Sequence, residues 1–98
     1  MIRIAESDDF RDLLAAIIPE AVLLEQFLHL GVVFRLERNF EQHLLTDADG
    51  LLITERGFVG VASCLIWFHV DRLADDDFVV TLYDVRATRS PDEAEDDS

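Results

Sequence analysis

Three histidines (His29, His43 and His69) and one cysteine (Cys64) are the side chains best suited to bind a metal or move a proton in this 98-residue chain. A zinc site needs three or four converging ligands, and the sequence has no CxxC, HExxH or His-x-His spacing to bring them together. No metal and no cofactor are therefore expected. His29 lies between Leu28 and Leu30 near a predicted helix end, and His43 has no distinguishing context. His69 is different. If its segment is a strand, Trp67, His69 and Asp71 share one face, and the Asp71 carboxylate can orient the imidazole as a general base would require.

The other candidates have plainer readings. Cys64 sits in an apolar run with no neighbouring cation to lower its pKa, so a buried, unreactive thiol is expected. Ser63 is not in a GxSxG turn. Asp47, Asp49 and Gly50 resemble a fragment of a calcium loop, but the position that should be Glu is Arg56, so a simple turn is expected. No glycine-rich phosphate loop is present. Without a catalytic constellation, the chain is expected not to be an enzyme; a small enzyme built on His69 and Asp71 is an alternative.

Charge is the strongest compositional signal. There are 21 acidic residues, eight arginines and no lysine, giving a net charge of -13. Direct nucleic-acid binding needs clustered positive charge and is not expected. Asp92, Glu93, Glu95, Asp96 and Asp97 carry five of the negative charges, and the rest of the chain still holds a net -8. Two further clusters stand out: Asp8, Asp9 and Asp12, and Asp75, Asp76 and Asp77. Each reads as a solvated turn or helix start, or as part of a negative face aimed at a basic partner. Acidity can also reflect compositional bias or adaptation to high salt, which screens repulsion within the surface. The single cysteine excludes an intrachain disulfide framework. No apolar run approaches the length of a membrane span, and the first residues do not resemble a signal peptide, so a cytoplasmic domain off the membrane is expected.

The elements that must position these residues follow from periodicity. Ile2 and Ile4 suggest a short first strand. Ser7 is a suitable N-cap for a helix carrying Phe10, Leu13, Leu14, Ile17 and Ile18 at helical spacing. Pro19 ends or kinks that helix, or opens the next. Val22, Leu23, Phe27 and Leu30 form a second stripe, widened by Leu24 and Leu28, with Gly31 as its expected C-cap. Residues 32–45 fit both periods; a strand from Val32 followed by a turn or short helix near Asn39 is the favoured reading. Asp47 to Gly50 reads as a turn, with Gly50 supplying a positive φ, between arms at Leu44–Leu45 and Leu51 to Ile53. Arg56-Gly57 is a second turn candidate. Residues 58–70 read as a long strand with a bulge near Gly60. Residues 78–85, dense in β-branched and aromatic residues, read as the firmest strand, pairing antiparallel with residues 58–70.

The expected fold is α+β: two N-terminal helices packed on an antiparallel β-sheet, as a single domain over residues 1–90, with a short, flexible acidic tail at 91–98. Half of the residues are hydrophobic, more than a small core easily hides. One sheet face is therefore expected to remain for a partner or a second copy, with Trp67 and Tyr83 as anchors. Size and charge are compatible with small acidic inhibitors such as immunity proteins, antitoxins and nucleic-acid mimics. The favoured function is a non-catalytic domain that inhibits or regulates a basic protein, with Asp8, Asp9, Asp12, Trp67, Asp75, Asp76, Asp77 and Tyr83 as the contact residues. A homodimer, serving as a structural or regulatory unit of a salt-adapted organism, is the second reading.

Overall fold

The computed structural model describes residues 1–54, 61 and 63–88. The expected turn at Arg56-Gly57, the bulge at Gly60 and the tail at 91–98 lie outside these residues. Within them the chain forms a small α+β domain in which the helices cover one face of a four-stranded sheet. The strands are β1 (Ile2–Glu6), β2 (Asp49–Ile53), β3 (Cys64–Ala74) and β4 (Asp77–Ala87), in spatial order β1-β4-β3-β2. The sheet is mixed rather than antiparallel: β3 pairs antiparallel with β2 and β4, whereas β1 runs parallel to β4, Ile2 opposite Phe78 and Glu6 opposite Leu82. A parallel pair needs a long crossover, which the helices and the other two strands supply.

Helix α1 (Phe10–Ile17) starts after a turn in which the Phe10 amide donates to the Ser7 carbonyl, so Asp9, not Ser7, occupies the N-cap, without a side-chain cap bond. Its apolar spacing turns Phe10, Leu14 and Ile18 into the core. Pro19 then separates it from a second helical rod, Ala21–His43, bent 119° away from the first. This rod is α-helical over α2 (Ala21–Gln26) and α3 (Phe34–Asn39), and a π-helix joins them over Phe27–Val33. A 3₁₀ turn, Phe40–His43, completes it after Asn39 leaves helical geometry.

The rod corrects three expectations. Gly31 does not cap a helix; it is buried inside the π segment. Residues 32–39 are helical, not a strand, and Val32 and Leu36 lie buried four positions apart on one side. The core stripe is Leu24, Phe27 and Leu28, whereas Val22 and Leu30 face outward. The wider turn of the π segment rotates the side chains that follow it around the axis, which simple helical spacing does not anticipate. No single helix is long and apolar enough to cross a membrane.

On the sheet, β3 alternates with period two: Cys64, Ile66, Phe68 and Val70 are buried, and Leu65, Trp67 and His69 are half-buried. Val80, Leu82 and Val85 of β4 join the buried side. Their parity changes at a bulge that leaves Tyr83 unpaired between Leu82 and Asp84. A two-residue turn at Asp75 and Asp76 closes the β3–β4 hairpin, as the pairing of Ala74 with Asp77 shows. The turn before β2 is organised by Thr46, whose hydroxyl accepts from the Ala48 and Asp49 amides. The arms expected around it reduce to one bridge between Leu44 and Gly50.

Gly50 is required for a different reason from the one expected. Its backbone does not adopt a positive φ. A Cβ there would lie 2.2 Å from Cζ of Phe68 and 2.7 Å from the His43 carbonyl oxygen. Phe68 is fully buried and fills the space a side chain would take. Gly50→Ala should therefore overpack the core and cost about 1–3 kcal/mol, lowering the thermal midpoint by roughly 4–8 °C per kcal/mol. A melting temperature equal to that of the wild type would contradict this packing.

Candidate functional site

Because every helix lies on the Phe68 side, no described element covers the opposite face of the sheet. Its centre follows from the pairing register. Trp67 lies opposite Leu51 on β2 and Asp84 on β4; in the next row Leu65 lies between Ile53 and Arg86. Ile53 is 55% exposed and Tyr83, at the bulge, 41%. The guanidinium of Arg86 sits 5.6 Å above the Trp67 ring, a cation–π contact. On this side Trp67 is half-buried and Tyr83 is exposed. Leu51, Leu65 and Ile53 complete the apolar patch; alternation along β2 and β3 is the signal that identifies them.

His69 stands in the row beside Trp67, directly opposite Asp49 on β2 and Thr81 on β4. Its Nδ1 is 2.9 Å from Oδ1 of Asp49 and its Nε2 is 3.3 Å from Oδ1 of Asp71. Only the protonated ring can donate from both nitrogens at once. The hydrogen bond to Asp49, with the Asp71 and Asp49 charges behind it, raises the His69 pKa above the ordinary imidazole value. The expected partnership of His69 with Asp71 is present, and Asp49 joins it. This arrangement holds a proton between two carboxylates, whereas a general base needs a free ring nitrogen to accept one.

His69 lies outside two clefts of the described surface. One, of about 490 Å³, is lined by Phe40, Leu44, Val70 and Phe78 together with Asp47 and Arg72. The other, of about 400 Å³, lies against Ile2, Glu37 and Asp76. Cys64 is buried, and burial pushes its thiol pKa up. His43 is half-buried, and desolvation, with Arg35 nearby, lowers its pKa. Among the described residues no group of three or more His, Cys, Asp or Glu side chains is placed to hold a metal ion.

The acidic clusters fall at opposite ends of β1. Asp75, Asp76 and Asp77 form the β3–β4 turn beside its start; Asp8 and Asp9 follow its end, and Asp12 lies in the first turn of α1. The five residues of β1 set them apart by on the order of 17 Å of strand. They are two acidic turns, not one continuous patch. Near the second turn, Arg11 of α1 links Glu6 of β1 (3.0 Å) to Glu25 of α2, and Glu25 also bonds His29 (3.0 Å). Arg11 holds the Glu25 carboxyl below its ordinary range, with a smaller effect from His29.

No family model, curated protein or solved structure matches the chain.

The His69 clamp has a measurable signature. A group whose pKa is raised on folding contributes stability below its unfolded value, near 6.5 for histidine, and loses that contribution as pH rises through the folded value. An NMR titration should place His69 above the ordinary imidazole value, and Asp49→Asn should bring it down. An unshifted His69 in the wild type would contradict the clamp.

Proposed function

We propose that this chain is a non-catalytic protein-binding domain whose docking surface is the open face of the sheet. The observation that carries the reading is the patch of Leu51, Leu65, Trp67, Ile53 and Tyr83, which no described element covers, on the back of a sheet whose other side packs against the helices. Apolar patches of this kind, centred on an aromatic residue and rimmed by charge, are characteristic of protein interfaces. Trp67 and Tyr83 are the anchors, because aromatic side chains contribute disproportionately when truncated.

The acidic turns give the domain its preference for basic partners. Asp8, Asp9 and Asp12 at one end and Asp75, Asp76 and Asp77 at the other project a negative field that accelerates encounter with an arginine- or lysine-rich protein and repels anions. Inhibition or regulation of such a protein is the function proposed. Phosphate mimicry towards a nucleic-acid-binding protein is its narrower form, and it requires both turns to meet the same partner.

Affinity capture from the native host, with wild type and Trp67→Asp run side by side, tests this reading. Basic proteins held by the wild type and lost by the variant are the expected result. Reversal of Asp75, Asp76 and Asp77 to lysine should slow association more than it speeds dissociation, and added salt should do the same. An identical set of proteins recovered with wild type and Trp67→Asp would overturn the proposal.

A further inference from the structure

We infer that the outer edge of β1 is a second binding site, which takes an extended basic peptide segment as an added strand. The site lies apart from the Trp67 face and does not depend on it. Backbone groups define it. The Phe78 amide donates to the Met1 carbonyl, and the Ser7 amide donates to the Leu82 carbonyl. Odd-numbered residues of β1 therefore turn their N–H and C=O groups towards β4, and Ile2, Ile4 and Glu6 turn theirs outward. None of these outward groups has a partner among the described residues. The opposite edge of the sheet is protected. On β2 the Asp49 amide donates to the Thr46 hydroxyl, and the Asp49 carbonyl accepts from the Leu45 and Thr46 amides. The Ile53 carbonyl accepts from the Arg35 guanidinium at 3.1 Å. An unprotected strand edge is a template for pairing with another chain.

The surroundings of this edge select the chemistry of the added strand. The cleft of about 400 Å³ at the start of β1 is lined by Met1, Ile2, Phe78, Glu37 and Asp76. Among the described residues no ion pair engages the Glu37 or Asp76 carboxylate. The Met1 ammonium goes to the Asp76 carbonyl and the Asp77 carboxylate, and Arg72, stacked on the Phe78 ring, lines the other cleft. An arginine or lysine side chain fits here, its aliphatic stem against Ile2 and Phe78 and its head group reaching the two carboxylates. Past the far end of β1, Asp8 and Asp9 are exposed. Arg11 nearby is committed to Glu6 and Glu25. Arg3 lies on the other side of the strand from Ile2 and Ile4, which pack on the core.

An extended segment with a basic residue at each end of a five-residue run therefore meets carboxylates at both ends of the edge, and positions four apart share one side of it. In strand addition the main-chain hydrogen bonds supply affinity, and pockets for alternate side chains supply specificity. A second copy of the chain is excluded as the occupant. Pairing of β1 with another β1, in either direction, sets acidic turns against acidic turns.

Titration of the isotope-labelled full chain with an acetylated and amidated Arg-Thr-Val-Thr-Arg peptide, followed by amide NMR, tests the inference. The amides of Ile2, Ile4 and Glu6 should shift most, in a saturable manner. Two N-methylated forms of the peptide, one for each set of alternate amides, each remove one hydrogen-bonding edge and keep the charge. One form should bind about tenfold more weakly than the other. The double variant Glu37→Gln, Asp76→Asn, both at exposed positions, should weaken binding of the parent peptide about tenfold. Equal affinity of the two methylated forms leaves charge alone and overturns the inference, as does absence of binding at millimolar peptide. Shifts centred on Leu51, Leu65 and Trp67 overturn the edge site alone and leave the Trp67 face standing. Identical captures with wild type and Trp67→Asp remove that face without touching the edge.

Discussion

The parallel pairing of β1 with β4 is the constraint on which the rest of the domain depends. It places the first strand at one edge of the sheet, while β2 forms the other edge. The chain between them must travel the full width of the sheet, and it does so as helix. Its two segments, bent 119° from each other at Pro19, both pack on the Phe68 side. Among the described residues no element covers the back of the sheet. Ladder bonds hold the arrangement at both ends of β1: the Phe78 amide donates to the Met1 carbonyl, and the Ser7 amide donates to the Leu82 carbonyl.

The two sides of the sheet divide the chemistry. On the covered side, Phe10, Phe27 and Phe68 are fully buried and the glycine at position 50 makes room for one of them. Thr54, the buried polar residue there, is satisfied by the Cys64 amide, which donates to its hydroxyl. On the open side, His69 is paired across strands with Asp49, and Arg86 lies beside Asp84 of its own strand. Asp8, Asp9, Asp12, Asp75 and Asp76 are exposed at the turns, where water solvates them, and Asp77 pairs with the Met1 amino terminus. Within a domain of so large a negative charge, this apolar face thus carries cations as well as anions.

Periodicity made part of this legible. The alternation from Phe78 onward and the helical spacing of Phe10, Leu14 and Ile18 are local, and both elements lie where that spacing puts them. The uncovered face and its aromatic residues were also readable, because Trp67 and His69 alternate with Ile66, Phe68 and Val70. The helical rod was obscured at Gly31, where its π segment runs on through a residue that reads as a stop. The parallel β1 was hidden for another reason: five residues with two isoleucines say strand, but nothing local says which neighbour or which direction. The Asp49 contact to His69 is likewise a product of register between two strands twenty residues apart, and no spacing within either strand encodes it.

The same parallel pairing imposes an order on the making of the molecule. Ile2 must wait for Phe78, and every intervening element leaves the ribosome before the sheet can close on that edge. The β3–β4 hairpin, with its two-residue turn, can assemble locally, but until β1 arrives the outer edge of β4 is an unpaired strand and Val80 and Leu82 are incompletely covered. Contacts of such long sequence separation are slow to form, and exposed edges are where nascent chains meet one another. The acidic residues Asp8 and Asp9 at one end of β1 and Asp75 and Asp76 at the other therefore flank the last edge to close, and like charges there disfavour edge-to-edge pairing with another chain.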